Sequence, residues 1–169
     1  MKCSVTLDKL DEEGFTSLYV FTFVGEKDSE YSKFWDKFES DKTVQWEFDV
    51  IDQRITTILQ YGAEDEHFRM EGKGTKALPI NANSKLRLYC YRIDPGILII
   101  GNGGIKLKNP DATKNKTKDF PELYRYCETI RAVGLKIEEL LRDKTIGRKD
   151  NDLLRLKQFE INIPDDPKS

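Results

Sequence analysis

The sequence contains little of what metal sites and disulfide frameworks are built from. It has three cysteines, no two of them at a metal-ligand spacing, and a single histidine, His67. An odd number of cysteines without such spacing favours reduced thiols and a cytoplasmic location. One histidine cannot anchor a histidine-based metal site. We therefore expect no metal and no cofactor.

Long apolar runs are also missing. No stretch approaches the roughly 18 apolar residues that a membrane span needs, and the first residues, MKCSVTLDKLDEEG, lack the apolar segment of a signal peptide. We therefore expect no membrane partner. Apolar residues make up 38% of the chain, enough for the core of one domain, and charged residues make up 34%, which predicts a densely charged surface.

Positive charge is concentrated in the middle of an acidic chain. Residues 1–68 carry 7 Lys and Arg against 16 Asp and Glu, residues 69–119 carry 11 against 4, and residues 120–169 carry 10 against 10. A basic region in a chain of net charge −2 indicates an anionic partner such as nucleic acid. The alternative is that the acidic and basic parts face each other and neutralise.

The spacing of apolar residues predicts an α+β fold with the order β, α, α, β, β, β, α and a late strand. Ser29 is typical of a helix N-cap, Gly62 of a helix end and Pro121 of a first helical turn. The predicted elements are a strand over Leu18–Val24, helices over 29–38 and 43–61, a short strand near 77–80, two strands over 86–100, and a helix over 121–142.

The last residues differ in character from the rest. We assign residues 1–142 to one α+β domain and residues 143–169 to a C-terminal extension. The extension contains an alternating stretch over 159–163, typical of an edge strand, and a tail from Pro164 that we expect to fray.

The most informative stretch is 85–108, KLRLYCYRIDPGILIIGNGGIKLK, two β-type runs joined by Asp94-Pro95-Gly96. Asp-Pro-Gly suits a tight turn, and the second run is apolar on both faces, which predicts a central strand covered on both sides. With a two-residue loop, Arg87 faces Gly104 and Tyr89 faces Asn102. The glycines of Gly101–Gly104 predict a β-bulge or a backbone that something approaches closely.

The chain resembles the RelE/HigB superfamily of type II toxins, small ribonucleases of which most act on mRNA at the ribosome. The resemblance covers about residues 16–140 and is carried by FRMEG at 68–72, KLRLYCYRID at 85–94 and ILIIGNGGIKLK at 97–108. It implies an antiparallel sheet packed against two N-terminal helices and one C-terminal helix. It also implies an antitoxin protein as partner and mRNA or the ribosome as target.

The resemblance gives roles to a few residues. Arg87 matches the strand arginine that contacts the phosphate, Lys106 and Lys108 match the basic segment that stabilises transition-state charge, and Arg69 matches a basic residue at the entry of the sheet. The implied reaction needs no metal: a ribose 2′-hydroxyl attacks the adjacent phosphate and leaves a cyclic phosphate and a 5′-hydroxyl.

The groups that would transfer protons are less clearly marked. His67, Tyr89 and a lysine of lowered pKa are candidates, and the family's late His or Tyr corresponds to Tyr124 or Tyr126. We take Arg87, Lys106, Lys108 and Tyr89 as the catalytic candidates. The predicted RNA-binding residues are Arg69, Lys85, Lys114 and Lys116.

Each of these residues also has a purely structural interpretation. His67 could simply be exposed to solvent, and the lysines of 106–118 could belong to a solvated loop. Tyr89 and Tyr91 could serve cross-strand packing, and Arg87 could form an ion pair. Trp35 and Trp46 could serve helix packing, and Cys90 could be an inert core thiol. Two functions therefore stay open: a toxin endoribonuclease, or a non-catalytic RNA-binding or protein-interaction module of a mobile element. An enzyme of unrelated chemistry is a third, for which no motif is present.

Overall fold

A computed structural model describes residues 1–11, 14–72, 74–79, 81 and 83–165, and over these residues the fold is α+β, as the sequence predicts. The helices are α1 (Glu30–Phe38), α2 (Gln45–Tyr61) and α3 (Pro121–Arg142). The strands are β1 (Lys2–Asp11), β2 (Ser17–Phe23), β3 (Arg69–Met70), β4 (Thr75–Leu78), β5 (Leu86–Asp94), β6 (Ile97–Ile105), β7 (Gly147–Lys149), β8 (Asp152–Leu154) and β9 (Phe159–Asn162).

Seven of the described strands form one mixed sheet in the order β3-β4-β5-β6-β2-β1-β9. The pair β2–β6 is parallel, with Ser17 opposite Ile97, and the other neighbours are antiparallel. Strands β7 and β8 form a separate antiparallel pair. The helix-containing connection from β2 to β6 is long enough for parallel pairing, which a tight hairpin cannot provide.

The predicted RelE-like arrangement, an antiparallel sheet on two N-terminal helices and one C-terminal helix, is therefore wrong. The sheet is mixed and larger, because β1 precedes β2 as its antiparallel neighbour and β9 adds to the far side of β1. Strand β1 was missed because only Val5 and Leu7 of its residues are buried and apolar, so its charged sequence reads as a polar segment.

Helices cover the sheet on both faces. On one face α1 and α2 place Phe34 and Ile58 in a cluster with Leu98 of β6. On the other face α3 places Ile130 in a second cluster with Ile99 of the same strand. Strand β6 is buried along almost its whole length, which confirms that it is central and covered on both sides.

The predicted helix ends agree closely with the structure, whereas β6 continues five residues past its predicted end at residue 100. The Ser29 hydroxyl accepts a hydrogen bond from the Ser32 amide (3.1 Å), Gly62 follows α2 with a φ of 112°, and Pro121 begins α3. Strand β9 is an edge strand, as expected. The predicted strand near 77–80 is β4; Ile80 and the end of the predicted tail, 166–169, lie outside the described residues.

Two side-chain predictions are wrong. Trp46 is 68% exposed rather than packed, since it lies two positions from the buried Phe48 and so points to the opposite side of α2. His67 is buried rather than exposed, with its Nδ1 atom 3.3 Å from a guanidinium nitrogen of Arg54. The cysteines are free and Cys90 is buried, as predicted. Within the part of the chain that the structure describes, no helix is both long and apolar enough to cross a membrane.

Candidate nucleic-acid interface

The open end of the β5–β6 hairpin is shaped by a β-bulge, as the glycines predict. Arg87 faces Gly104, also as predicted, and Leu88 faces Gly103, but Cys90 faces Ile100, so the register shifts between these pairs. Tyr89 therefore stands opposite two residues of β6 instead of pairing with Asn102 alone.

Gly103 is required at this bulge. A Cβ atom on Gly103 would lie 1.8 Å from the backbone carbonyl oxygen of Arg87, a distance that no side chain tolerates. The two strands stay paired just beyond β6, because the Lys106 amide donates to the Lys85 carbonyl (2.7 Å). The bulged hairpin thus brings two of the predicted cationic residues side by side.

A cavity of about 440 Å³ opens at this end of the sheet. Five of its lining residues are cationic, and no acidic side chain is among the described residues that line it. The lining residues are Arg69, Asn83, Ser84, Lys85, Arg87, Lys106, Lys108 and Asn115. We call this cavity the basic pocket. It is lined by residues from β3, from the two chain segments at the open end of the hairpin, and from the loop before α3.

Arg87 forms the inner wall of the basic pocket. Its side chain is buried, and its Nη1 atom donates hydrogen bonds to the carbonyls of Ser84 and Leu86. Burial, and then the positive charge of Arg69, lower the pKa of Arg87. Two guanidinium groups held this closely repel each other, and an anion between them would offset both the repulsion and the lost hydration.

Lys106 is half-buried beside them. Its Nζ atom lies 5.5 Å from the centroid of the Phe120 ring, within cation–π range. Burial lowers the pKa of Lys106; Glu71 opposes this shift, whereas Arg87 and Arg69 add to it. A lysine of lowered pKa was one of the proton-transfer candidates, and Lys106 has that property.

Glu71 is the functional candidate that the sequence reasoning missed. It follows Arg69 by two residues, and two-residue alternation in an extended chain places such residues on one side. Its Oε2 atom accepts from the Thr117 hydroxyl (3.1 Å), its amide donates to the Thr75 carbonyl (3.0 Å), and its own carbonyl accepts from Arg131 (3.1 Å). The alternation Arg69-x-Glu71 is the sequence signal that would have placed Glu71 on the same side of the chain as Arg69.

The loop between β6 and α3 is held in shape by Asn115. The Asn109 amide donates to Asn115 Oδ1 (2.6 Å), and the Asn115 side-chain amide donates to the Asn109 carbonyl (3.2 Å). Lys114 and Lys116 are exposed on this loop next to the basic pocket but do not line it, and Lys114 lies 3.9 Å from Asp111. They remain predicted RNA-binding residues at its margin.

Glu71 does not itself line the basic pocket, and neither do the remaining proton-transfer candidates. Tyr89 is fully buried, and its pKa is raised, first by burial and then by Glu71. His67 contacts Arg54, Tyr126 donates to Glu122 (2.9 Å), and Tyr124 lines a different cavity. The structure thus brings together Arg69, Lys85, Arg87, Lys106 and Lys108, but not the phenols or the imidazole.

The described residues contain no group of three or more His, Cys, Asp or Glu side chains placed to hold a metal ion. Comparisons of the chain with family models, with curated proteins and with solved structures found no match. The charge and geometry of the basic pocket are therefore the structural basis for a functional proposal.

Proposed function

We propose that the chain is a metal-independent endoribonuclease that holds a phosphate of single-stranded RNA in the basic pocket. The observation that carries this proposal is the convergence of five cationic side chains on one cavity in a protein of net charge −2. The net negative charge of the chain repels RNA at long range, so binding would depend on the local positive field of the basic pocket. The resemblance adds the biological setting: a type II toxin that cuts mRNA and is inhibited by an antitoxin.

In this proposal Arg69 and Arg87 bind the non-bridging oxygens of the scissile phosphate. Both are placed by β-structure, and Arg87 is held further by two backbone carbonyls. Their charge would be worth most in the pentacoordinate transition state, where negative charge on the phosphate increases. Lys85 and Lys108, both exposed at the rim, would contact neighbouring phosphates.

The proton transfers are assigned to Glu71 and Lys106. The Glu71 carboxylate takes the proton of the ribose 2′-hydroxyl, whose oxygen forms the new bond to phosphorus. The bond from phosphorus to the 5′-oxygen breaks, and Lys106 donates a proton to that oxygen. A lysine whose pKa is lowered donates more readily than an ordinary lysine. The products are a 2′,3′-cyclic phosphate and a 5′-hydroxyl.

The test is cleavage of end-labelled single-stranded RNA, free and ribosome-bound, in the presence of EDTA. We expect products that end in a cyclic phosphate, and no cleavage of an oligonucleotide that carries 2′-deoxyribose at the scissile position. Lys106→Met should lose cleavage and keep RNA binding apart from the loss expected for one of five cations, while Lys149→Ala, at an exposed lysine in β7, should behave as wild type. Expression should arrest growth, and Lys106→Met should relieve the arrest. If neither form of RNA is cut, the nuclease proposal fails.

One observation favours the second candidate, a non-catalytic RNA-binding module. Neither an imidazole nor a phenol is among the described residues that line the basic pocket, so the proposed chemistry depends on one lysine and one adjacent carboxylate. This candidate predicts salt-sensitive RNA binding without strand cleavage and harmless expression. The same cleavage and growth assays distinguish the two.

A further inference from the structure

Trp46 is a large aromatic side chain left in solvent. The chain has two tryptophans, and they differ sharply in environment. Trp35 packs against the ring of Phe48 with centroids 4.8 Å apart, whereas Trp46, in the first turn of α2, is 68% exposed. An exposed indole presents a flat apolar face and a polar N–H group to solvent, and an aromatic ligand can stack on that face.

The residue next to Trp46 is attached to the wall of the basic pocket. Glu47 Oε1 accepts from the Ser84 hydroxyl (2.9 Å) and from the Lys85 amide (2.5 Å), and both Ser84 and Lys85 line the pocket. The Trp46 backbone is therefore one residue away from a side chain that contacts the pocket wall. The Glu47 carboxylate is occupied by these two donors.

The residues near Trp46 on α2 are mostly polar, and Val50, one turn away, is apolar and half-buried. The Gln45 side-chain amide donates to Asp49 Oδ1 (3.0 Å), and Gln45, Asp49 and Gln53 are all exposed. A protein-docking face on a helix needs several apolar residues at helical spacing. One aromatic ring among polar residues suits a flat ligand that stacks on it.

We infer that Trp46 is a stacking platform for a base of single-stranded RNA whose phosphate lies in the basic pocket. This inference rests on the proposed function, because the pocket supplies the phosphate and thereby places a neighbouring nucleotide near α2. Stacking on an aromatic ring accepts any base, so Trp46 contributes affinity and sets the path of the strand rather than its sequence.

The experiment measures the affinity of a fluorescently labelled 12-nucleotide single-stranded RNA by anisotropy. Trp46→Ala should weaken binding about 5- to 150-fold, the range for loss of one stacked base, and Trp46→Phe should retain most of the affinity. The matched control is Tyr61→Ala, at the other end of α2, about 22 Å along the helix from Trp46 and similarly exposed. This control should leave the affinity unchanged.

Two further measurements separate stacking from other effects. In a Trp35→Phe background, or in the wild type if that variant folds poorly, tryptophan fluorescence should be quenched in step with RNA binding. An RNA with abasic sites throughout should bind wild type and Trp46→Ala equally well. If the abasic RNA also loses affinity in the variant, the effect is structural and the inference is overturned.

The failure of this inference is distinguishable from failure of the proposed function. If Trp46→Ala binds RNA normally while Lys108→Ala weakens binding, Trp46 is no stacking platform and the basic pocket stands. An absence of quenching on RNA binding would likewise overturn the inference. If neither variant changes RNA binding, both proposals fail.

Discussion

Removing one lysine from the basic pocket should change how RNA binding depends on salt. Lys108 is the most suitable residue, because it is exposed at the rim and its loss should leave the core intact. Each cation that neutralises a phosphate of a single strand releases counterions, so that log K falls with log salt by about 0.7 per contact.

The size of the effect follows from the number of cations around the pocket. If all five contact phosphates, the slope of log K against log salt is about −3.5, and affinity falls about 100-fold between 50 mM and 200 mM salt. Lys108→Ala should bring the slope to about −2.8. Lys108→Ala removes one cation from the rim and leaves the other four cations of the basic pocket in place.

The assay is fluorescence anisotropy of a labelled single-stranded RNA, titrated with protein at four or more salt concentrations. Lys149→Ala removes the same charge from exposed strand β7 and controls for net charge. Both variants change the net charge equally, so a difference between their salt slopes depends only on where the charge was removed. Equal slopes for Lys108→Ala, Lys149→Ala and wild type would refute the assignment of the basic pocket as the RNA-binding site.

Two other perturbations test how the site is built. The pKa of Lys106 is lower in the folded protein than in the unfolded chain, where it is about 10.4. Between the folded and the unfolded pKa the folded state binds fewer protons, so the stability of the wild type rises with pH across that window. Lys106→Met should remove this rise and increase the free energy of unfolding at neutral pH, measured by urea denaturation; a variant less stable than wild type would contradict a destabilising buried charge at Lys106. Gly103→Ala should destabilise the protein by about 1–3 kcal/mol in the same assay, because its Cβ meets the Arg87 carbonyl, and should weaken RNA binding; an unchanged midpoint would disprove the close approach of β5 and β6.

Local features of the fold were predictable because their causes are local. The N-cap at Ser29, the end of α2 at Gly62 and the start of α3 at Pro121 follow from the hydrogen-bonding and φ preferences of single residues. The hairpin turn and the bulge opposite Tyr89 follow from Asp94-Pro95-Gly96 and from the glycines of β6. Each of these features is set by residues within a few positions of it, so it can be predicted from the local sequence.

Features that depend on distant residues were not predictable in the same way. The burial of His67 depends on its packing beside Arg54, and the exposure of Trp46 depends on which face of α2 meets the sheet. The role proposed for Glu71 depends on the Thr117 hydroxyl, which is supplied by the loop before α3. Neither the His67–Arg54 contact nor the Glu71–Thr117 contact leaves a periodic pattern in the sequence, whereas Trp46 does lie off the apolar stripe of α2.

The sequence by itself determined that residues 85–108 form a bulged hairpin with cations at its open end, and that the fold combines helices with a sheet. The residues of the turn and the spacing of apolar residues are sufficient to predict the hairpin and the combination of helices with a sheet. Only the tertiary structure decided that β2 pairs parallel with β6, that β1 and β9 extend the sheet, and that Arg69 joins the hairpin cations around one cavity. The physical reason is that strand pairing and charge convergence join residues far apart in the chain, and their free energy depends on burial that exists only after folding.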